Sequence, residues 1–312
     1  MNALALCLDR VGEGIAPERG VLGPLGISVA WPAQAPAAVE KQLKQADALL
    51  VNVTPVDAAL LDRAPQCRVV VTYGVGYDHI NLDEARRRRV VVANVPDYCI
   101  DEVADHTMAL LLALARQIVT GHELVRGGGW GVHELGRVRR IRGRTLGLVG
   151  YGRTGRAVSE RARSFGLRVI AYDPQVSWGG EGVTMLASLP GLLREADFVS
   201  LHAPLQKETA HLINARTLAL MKPDSVLINT SRGGLVDTNA LLRALDSGSL
   251  AGAGLDVFPE EPPAAALLNR PNLVLSPHSA YYSAEAVVEL KQSAAQAVAV
   301  VLTGGSPTHR LA

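Results

Sequence analysis

Residues 150–155 read Gly150-Tyr151-Gly152-Arg153-Thr154-Gly155, three glycines at the spacing GxGxxG. An apolar run at 145–149, which predicts a strand, comes directly before them, and a helical pattern follows at 156–165. Asp173 ends the next predicted strand, 18 residues after the last glycine. A strand, a glycine loop, a helix and a distant acidic residue in this order predict a dinucleotide-binding unit.

Each glycine of this loop has a physical task. Gly150 permits the tight turn, Gly152 lets a pyrophosphate approach the backbone, and Gly155 allows the helix to pack closely on the strand. The N-terminus of the helix, with Arg153 and Thr154 beside it, then offers N–H groups to the phosphates.

Asp173 predicts the kind of cofactor. Its carboxylate suits the two hydroxyls of an adenosine ribose, and its charge would repel the additional phosphate of NADP. We therefore expect NAD. Two alternatives stay open on these residues: a glycine-rich turn that binds no ligand, and S-adenosylmethionine, which uses a similar loop and acidic residue.

The composition is that of a folded globular protein. The 312 residues suffice for about two domains, and 48% of them are apolar and 20% charged. A net charge of +1 and only 4% aromatic residues favour neither nucleic acid nor a membrane surface as a partner. Cys7, Cys67 and Cys99 lack a CxxC spacing, which argues against a disulfide framework and a metal site. We expect a cytoplasmic protein.

Short apolar runs alternate with helical patterns in two blocks of the chain. Runs without in-out alternation are typical of parallel strands covered by helices on both faces, so each block predicts a doubly wound parallel sheet in an α/β fold. The second block has six such runs, the number in a dinucleotide-binding sheet. The predicted strands are 3–8, 27–30, 48–51, 68–71 and 90–92, then 145–149, 167–172, 197–201, 225–229, 251–255 and 272–275.

Three further segments lie outside the predicted sheets. Asp101 is a predicted N-cap for a helix over 101–116, and this helix is apolar on nearly all sides after its first turn. Such a helix is typical of a core or of a subunit interface. Residues 121–144 predict an irregular connecting arm, and residues 284–302 predict a terminal helix.

Polar residues follow the predicted strands of the second block. In an open doubly wound sheet, ligands bind beyond the carboxyl ends of the strands, so these residues are candidates for one site. They are Gly150, Asp173, His202-Ala203-Pro204, Thr230-Ser231-Arg232, Asp256 and Ser276-Pro277-His278.

Three residues supply the chemistry of hydride transfer to a 2-keto acid. Arg232 carries a planar, permanently charged fork for a carboxylate. His278 is of the residue type that exchanges protons near neutral pH, and Glu261 suits the task of fixing its tautomer. Each also has a simpler interpretation, as a turn cap, a hydrogen-bonded loop histidine and a solvated loop acid.

The chain resembles the D-isomer-specific 2-hydroxyacid dehydrogenases over essentially its whole length. The stretches that carry the resemblance are 74–78, 102–105, 147–155, 172–174, 202–205, 229–234, 255–258 with Glu261-Pro262, and 276–278. The resemblance implies that Arg232 anchors the substrate, that His278 is the acid/base and that Glu261 tunes the histidine. Glu261 directly precedes Pro262, as the acid of the family precedes its proline, and Glu260 is the reserve candidate.

The resemblance also implies a domain organisation. Residues 1–98 and 283–312 would form a discontinuous, flavodoxin-like substrate domain, and residues 99–282 an NAD-binding Rossmann domain, with the active site in the cleft between them. Gly74, Val75 and Gly76 would present backbone amides to the substrate carboxylate. The other expected substrate contacts are Asn52, Val53, Arg232 and Tyr281.

For the cofactor, the resemblance places Val103 and Thr107 near the nicotinamide and phosphate, and Asp256 at the carboxamide. The complete set of expected cofactor contacts is Val103, Thr107, Gly150, Gly152, Arg153, Thr154, Gly155, Asp173, His202, Ala203, Pro204, Thr209, Thr230, Ser231, Arg232, Asp256 and His278.

Within the family, the sequence HSAYYS at 278–283 is similar to the C-terminal-binding-protein branch. Thr72 and Asn52 stand where two branches have an arginine, so a phosphorylated substrate is not favoured. We therefore expect an NAD-dependent enzyme that interconverts a small 2-keto acid and its D-2-hydroxy acid. The alternative is an NAD-gated regulatory protein with weak dehydrogenase activity. The resemblance also implies a homodimer, with residues 103–114 and the arm that carries Trp130 at the two-fold axis.

Overall fold

The structure, a computed structural model, describes residues 3–136, 138–268, 270 and 272–312. Residues 1 and 2 of the predicted substrate domain, Arg137 of the predicted arm, and residues 269 and 271 lie outside the described residues. The chain forms two compact units. Unit 1 consists of the residues up to Cys99 together with Tyr282–Ala312, and unit 2 consists of Ile100–Tyr281.

Unit 1 is built on a five-stranded parallel sheet in the order β2-β1-β3-β4-β5. This order is that of flavodoxin-like folds. Its elements are β1 (Ala3–Cys7), α1 (Ala16–Leu22), β2 (Ile27–Ala30), α2 (Pro36–Gln45), β3 (Ala48–Val51), α3 (Ala58–Arg63), β4 (Val69–Thr72), α4 (Leu82–Arg87) and β5 (Val91–Ala93), with α11 (Ala284–Leu302) from the end of the chain.

Unit 2 is built on a seven-stranded parallel sheet in the order β12-β11-β10-β9-β6-β7-β8. Its elements are α5 (Ile100–Ala115), α6 (Ile118–Arg126), β6 (Thr145–Val149), α7 (Arg153–Ser164), β7 (Arg168–Tyr172), β8 (Val183–Met185), α8 (Leu189–Glu195), β9 (Phe198–Leu201), α9 (Ala215–Leu218), β10 (Val226–Asn229), α10 (Thr238–Asp246), β11 (Gly252–Leu255) and β12 (Leu273–Leu275). The predicted fold class, two doubly wound parallel α/β sheets, is confirmed.

The register of this sheet brings the strand ends to one edge. Val149 pairs with Tyr172 and Leu201, Leu201 pairs with Asn229, and Leu255 pairs with Asn229 and Leu275. The residues that follow these strand ends therefore share the edge that the sequence analysis singled out.

Two predicted helix starts are wrong. α7 begins at Arg153, with Gly152 as its N-cap, three residues before the predicted start. Glycines are poor helix formers, so the pattern hid the first turn, which contains Gly155. α5 begins at Ile100, so Asp101 lies in the first turn and is not the N-cap. There its carboxylate accepts a 2.7 Å hydrogen bond from Arg161 of α7.

A seventh strand and a helix were missed. β8 has only three residues, two of them half-buried and one exposed, and it pairs with β7 at the edge of the sheet. It therefore lacks the long apolar run that marks a central strand. The predicted irregular arm, residues 121–144, includes most of the helix α6 and a short 3₁₀ turn at Val132–Leu135. α6, all of whose residues are described, buries none of them.

The apolar helix α5 packs mainly against its own unit. Six of its residues are buried, and five of them, among them Met108, Leu111 and Leu114, belong to the core beside the sheet. Large exposed apolar residues, among them Ile118 and Trp130, follow α5 in the chain. Val103, Leu112 and Ala113 are only half-buried and Ala109 is exposed, so the expectation that 103–114 lies at a two-fold axis stays a prediction.

Among the described residues, no single helix has the length and apolar character of a membrane span. α5 and α6 reach those limits only when taken together, across a bend of 60°.

Candidate active site

His278 and Glu261 form the centre of the candidate site in unit 2. The Nδ1 atom of His278 lies 2.8 Å from Oε2 of Glu261, and Oε1 of Glu261 accepts the backbone N–H of Phe258 at 3.1 Å. The hydrogen bond from Phe258 holds the carboxylate of Glu261 in place, and the carboxylate in turn holds the imidazole of His278. Both side chains remain partly exposed, so a ligand can reach them.

Asp256 supports the loop that carries His278. Its side chain is fully buried, and its carboxylate accepts hydrogen bonds from Ser276 Oγ at 2.6 Å and from the amides of Ser279 and Ala280 at 2.9 Å. Its carbonyl oxygen accepts the amide of His278 at 2.9 Å. His278 has a φ of +52°, a left-handed conformation that non-glycine residues adopt only where surrounding contacts hold them. The contact of Asp256 with the carboxamide stays a prediction.

His106 joins this network and was missed by the sequence analysis. Its Nε2 atom lies 2.8 Å from Ser276 Oγ and 3.5 Å from the carboxylate of Asp256. The sequence carried little signal, because His106 directly follows Asp105 in the polar first half of α5.

Arg232 lies in a loop that is held on both sides. The side chain of Asn229 donates to the carbonyl oxygen of Arg232 at 2.8 Å and accepts the amide of Ser231 at 3.1 Å. A Cβ atom at Gly233 would lie 1.9 Å from the backbone of Phe258, so only glycine fits there. The loop of Arg232 therefore lies against the loop that begins at Phe258 and carries Glu261.

The glycine loop fits a dinucleotide. Gly150 has a φ of +94°, and a Cβ there would lie 2.6 Å from the backbone of His202; a Cβ at Gly155 would lie 2.6 Å from the Gly150 oxygen. At Gly152, by contrast, a Cβ would meet no described atom within 4 Å. No described side chain caps the helix that starts here. The open space beside these N–H groups is where a pyrophosphate is expected.

Asp173 is tied to the glycine loop. Its carboxylate accepts the amides of Tyr151 and Gln175, each at 2.8 Å. The phenol of Tyr151 donates to the carbonyl oxygen of Gly179 at 2.8 Å. The loop after Asp173 is therefore anchored to the phosphate loop, which places the acid at the end of β7 where a ribose is expected.

His202 is held in the neutral form. Burial lowers its pKa to about 4, its Nε2 atom lies 2.9 Å from Ser200 Oγ, and its buried Nδ1 atom has no partner among the described residues. In the following segment, which includes Ala203, the hydroxyl of Thr209 donates to the carbonyl oxygen of Pro204 at 2.7 Å. Thr209 therefore shapes the loop after β9.

Two threonines from distant parts of the sequence meet in the buried part of unit 2. The hydroxyl of Thr107 donates to the carbonyl oxygen of Val103 at 2.7 Å and lies 2.9 Å from the hydroxyl of Thr230. Ser231 donates to the carbonyl oxygen of Leu201 at 2.8 Å. The structure thus brings Val103, Thr107 and Thr230 together, and their contact with the cofactor stays a prediction.

Two loops of unit 1 contain the expected substrate contacts. The carboxylate of Asp9 accepts the amides of Asn52 at 2.5 Å and of Val53 at 2.9 Å, and it also binds Thr54. These hydrogen bonds lower the pKa of Asp9 although burial opposes them. The amides of Asn52 and Val53 are therefore engaged with the protein itself.

The second loop, Gly74–Gly76, turns its carbonyl oxygens inward. They accept hydrogen bonds from Val95 N at 3.0 Å, from Asn94 Nδ2 at 2.8 Å and from Thr72 Oγ1 at 3.3 Å. The amides of Val75 and Gly76 have no partner among the described residues. Anchored carbonyls and open amides fit the expected role in binding a carboxylate.

The remaining expected substrate contact is Tyr281, which the structure places beside His278. The two ring centroids are 6.2 Å apart, and the rings meet edge to face at 83°. Among the described residues, no group of three or more His, Cys, Asp or Glu side chains is arranged to hold a metal.

Comparison with known proteins places the chain in a family. Residues 108–280 match the family described as D-isomer specific 2-hydroxyacid dehydrogenase, NAD binding domain. A protein named glyoxylate reductase from Thermococcus litoralis is 45% identical over 252 residues, which cover 76% of this chain and 75% of that protein. The chain belongs to the D-isomer-specific 2-hydroxyacid dehydrogenase family.

Two solved structures are similar to this chain over almost its whole length. The NADPH-dependent glyoxylate/hydroxypyruvate reductase of Sinorhizobium meliloti, in complex with NADP and malonate, has 31% identity and a TM-score of 0.87 over 100% of this chain and 97% of its own. The D-lactate dehydrogenase of Aquifex aeolicus, complexed with NAD and lactic acid, has 29% identity and a TM-score of 0.86 over 96% of both chains.

This D-2-hydroxyacid dehydrogenase is therefore an oxidoreductase whose cofactor is a nicotinamide dinucleotide, and its relatives support NAD(P)-dependent reduction of 2-keto acids. The match to an NAD-binding domain argues against the two alternatives that the glycine loop had left open, a turn without a ligand and a site for S-adenosylmethionine. The similarity of residues 278–283 to the C-terminal-binding-protein branch stays a prediction.

Proposed function

We propose that this dehydrogenase reduces a small, unphosphorylated 2-keto acid such as glyoxylate to the 2-hydroxy acid, with His278 as the proton donor. The observation that carries the proposal is the 2.8 Å contact between His278 Nδ1 and Glu261 Oε2. A carboxylate at Nδ1 stabilises the imidazolium and leaves Nε2 to give its proton to the carbonyl oxygen of the substrate.

Bound NADH supplies the hydride that reduces C2 of the keto acid. Arg232 binds the carboxylate and polarises the carbonyl, since its planar fork suits a bidentate contact. We also propose that the open amides of Val75 and Gly76 bind a substrate carboxylate as neutral donors. In the reverse direction, neutral His278 accepts the proton of the hydroxyl group while Glu261 keeps its ring in place.

We further propose NAD as the preferred cofactor, on the basis of Asp173. The amides of Tyr151 and Gln175 hold its carboxylate at the end of β7. There it suits the ribose hydroxyls and opposes an additional phosphate.

The decisive experiment is a panel of 2-keto acids with NADH, followed by nicotinamide absorbance. Glyoxylate, hydroxypyruvate, pyruvate, longer aliphatic acids and 3-phosphohydroxypyruvate form the panel. We expect turnover of at least one small acid and little of the phosphorylated one. Tight NADH binding without turnover of any acid would contradict the proposal and favour the NAD-gated regulatory protein.

We also propose a homodimer, because apolar side chains are exposed on α6 and the following arm. Trp130 is 87% exposed and Val132 72%, and Leu124 of α6 contacts the backbone of this arm at Gly129. Large exposed apolar side chains on neighbouring segments are typical of an interface. Light scattering tests it: a mass near 66 kDa is expected, from 33.0 kDa per chain, and Trp130→Asp should increase the monomer fraction. A mass near 33 kDa contradicts it.

A cytoplasmic location is proposed as well. Cys7 and Cys67 are buried thiols in this structure, which suits a reducing compartment.

A further inference from the structure

Lys291 is a buried lysine that the proposed reaction does not use. It lies on α11, and only 2% of its surface is exposed. Its amino group donates to the carbonyl oxygens of Val11 at 3.0 Å, Gly14 at 2.6 Å and Glu13 at 3.4 Å. Three acceptors match the three donors of an ammonium group. Lys291 therefore holds the loop between β1 and α1.

Glu18 of α1 is the carboxylate that faces Lys291. It is 1% exposed, and its Oε1 atom lies 3.6 Å from the amino group of Lys291. The same oxygen accepts a 2.7 Å hydrogen bond from the phenol of Tyr73. The other oxygen, Oε2, is buried without a partner among the described residues. One carboxylate thus links a lysine on α11 to a tyrosine at the end of β4.

Tyr73 directly precedes the loop Gly74–Gly76. Its backbone amide donates to the carbonyl oxygen of Val51 at 2.6 Å, so the residue is held at its backbone by the end of β3 and at its phenol by Glu18. Burial raises the pKa of this phenol far above its usual range, so the hydroxyl keeps the proton that it donates. Because Tyr73 is held both at its backbone and at its phenol, it fixes the position of the next residue, Gly74.

Stability alone does not account for this arrangement. Removing a lysine and a glutamate from water is costly, and proteins with apolar residues of similar size in such places are often at least as stable. Here one carboxylate oxygen is also left without a partner, which adds to the cost. The common endpoint of these contacts is the loop whose open amides are proposed to bind the substrate carboxylate.

We propose that Lys291, Glu18 and Tyr73 are positioning residues that set the Gly74–Gly76 amides for the substrate carboxylate. The inference rests on the proposed function, because it assumes that this loop binds substrate. It concerns affinity for the keto acid and not the transfer of hydride or proton.

Tyr73→Phe is the main test, because it removes one oxygen atom and keeps the buried ring. We expect the KM for the best keto acid of the panel to rise about fivefold, the effect of about one hydrogen bond, while the Kd for NADH stays within about twofold. Cys7→Ala is the matched control: Cys7 Sγ lies 3.4 Å from the same phenol oxygen, but no hydrogen bond joins it to Lys291 or Glu18 among the described residues. Its KM should remain that of the wild type.

A second pair of variants separates positioning from folding. Lys291→Met leaves the buried carboxylate of Glu18 without its cation, so we expect a lower Tm and a raised KM. In the double variant Lys291→Met/Glu18→Gln, the glutamine still accepts the phenol hydrogen bond, and KM should return toward the wild-type value. If both proteins lose Tm without any change in KM, and Tyr73→Phe also leaves KM unchanged, the three residues are merely structural.

Hydrogen exchange provides a measurement that does not depend on turnover. The amides of Gly74 and Val95 are hydrogen-bonded within this loop, and their exchange should be faster in Tyr73→Phe than in Cys7→Ala. Equal exchange in the two variants overturns the inference. Faster exchange in a protein that reduces no keto acid would instead count against the proposed function.

Discussion

Glu261 Oε2 lies 2.8 Å from His278 Nδ1, while Glu261 Oε1 accepts the amide of Phe258 at 3.1 Å. The carboxylate therefore joins the acid/base candidate to the loop that packs against Gly233, next to Arg232. Displacing the Glu261 side chain would therefore remove the support of the His278 ring.

The first prediction concerns the proton donor. His278→Ala should lower kcat by about 100- to 10,000-fold, the usual range for general acid catalysis, and leave NADH binding nearly intact. His133→Ala, at an exposed histidine of the arm, is the control. Wild-type turnover of His278→Ala would show that another group delivers the proton.

The second prediction separates the two neighbouring acids. Glu261→Gln should lower kcat by about 10- to 100-fold, because the imidazolium loses its anionic partner but keeps a hydrogen-bond acceptor. Glu260→Gln should have no effect. The reverse result would transfer the role to Glu260.

The third prediction concerns Arg232. Arg232→Lys keeps the charge but loses the planar fork, so KM for the keto acid should rise more than kcat falls. Arg243→Lys, at an exposed site on α10, provides the comparison. An unchanged KM would rule out Arg232 as the carboxylate anchor.

The fourth prediction concerns cofactor choice. NADH should bind at least about tenfold more tightly than NADPH, because an unpaired phosphate beside Asp173 costs more than about 1.4 kcal/mol. Asp173→Ser should reduce this preference. Fluorescence titration of the wild type and the variant with both cofactors measures it, and equal binding to the wild type would remove the role of Asp173.

The fifth prediction concerns the loss of folding stability in acid. Burial lowers the pKa of His202 to about 4, below the value of about 6.5 for an unfolded histidine. The folded state therefore binds fewer protons than the unfolded state between these values, so stability is complete above pH 6.5 and falls as the pH drops toward 4. Between pH 7 and pH 5 the loss is about 2 kcal/mol.

Urea unfolding at pH 7 and pH 5 measures this loss. His202→Asn should lose less stability over the interval than the wild type, and His133→Asn should lose as much as the wild type. The same loss in all three proteins would assign the acid sensitivity to other groups.

The strands of both sheets were predictable because a buried parallel strand gives a continuous apolar run. All eleven predicted runs contain or overlap a strand of the structure, and α11 has the predicted bounds. The glycine loop was predictable as well, since its order of elements is local. β8 was not, because its pairing with β7 depends on the sheet edge and not on its own three residues.

The supporting residues of the site were not predictable. Asp9, His106 and Lys291 each look like an ordinary polar residue in their own segment. Their importance comes from contacts with residues distant in sequence: Asp9 with the loop at 52–54, His106 with Ser276, and Lys291 with Glu18. A single sequence records which side chains are present but not which partners the fold brings to them.

Unit 1 uses both ends of the chain, and this affects the order of events during synthesis. Besides α11, the amide of Leu311 donates to the carbonyl oxygen of Val92 at 2.7 Å, whereas unit 2 is the continuous stretch Ile100–Tyr281. Because domains fold as units while the ribosome is still working, unit 2 has all of its residues before Lys291 has been added. Until Lys291 has been added, Glu18 lacks the lysine that faces it in the finished unit. The unit that begins first is therefore the one that is completed last.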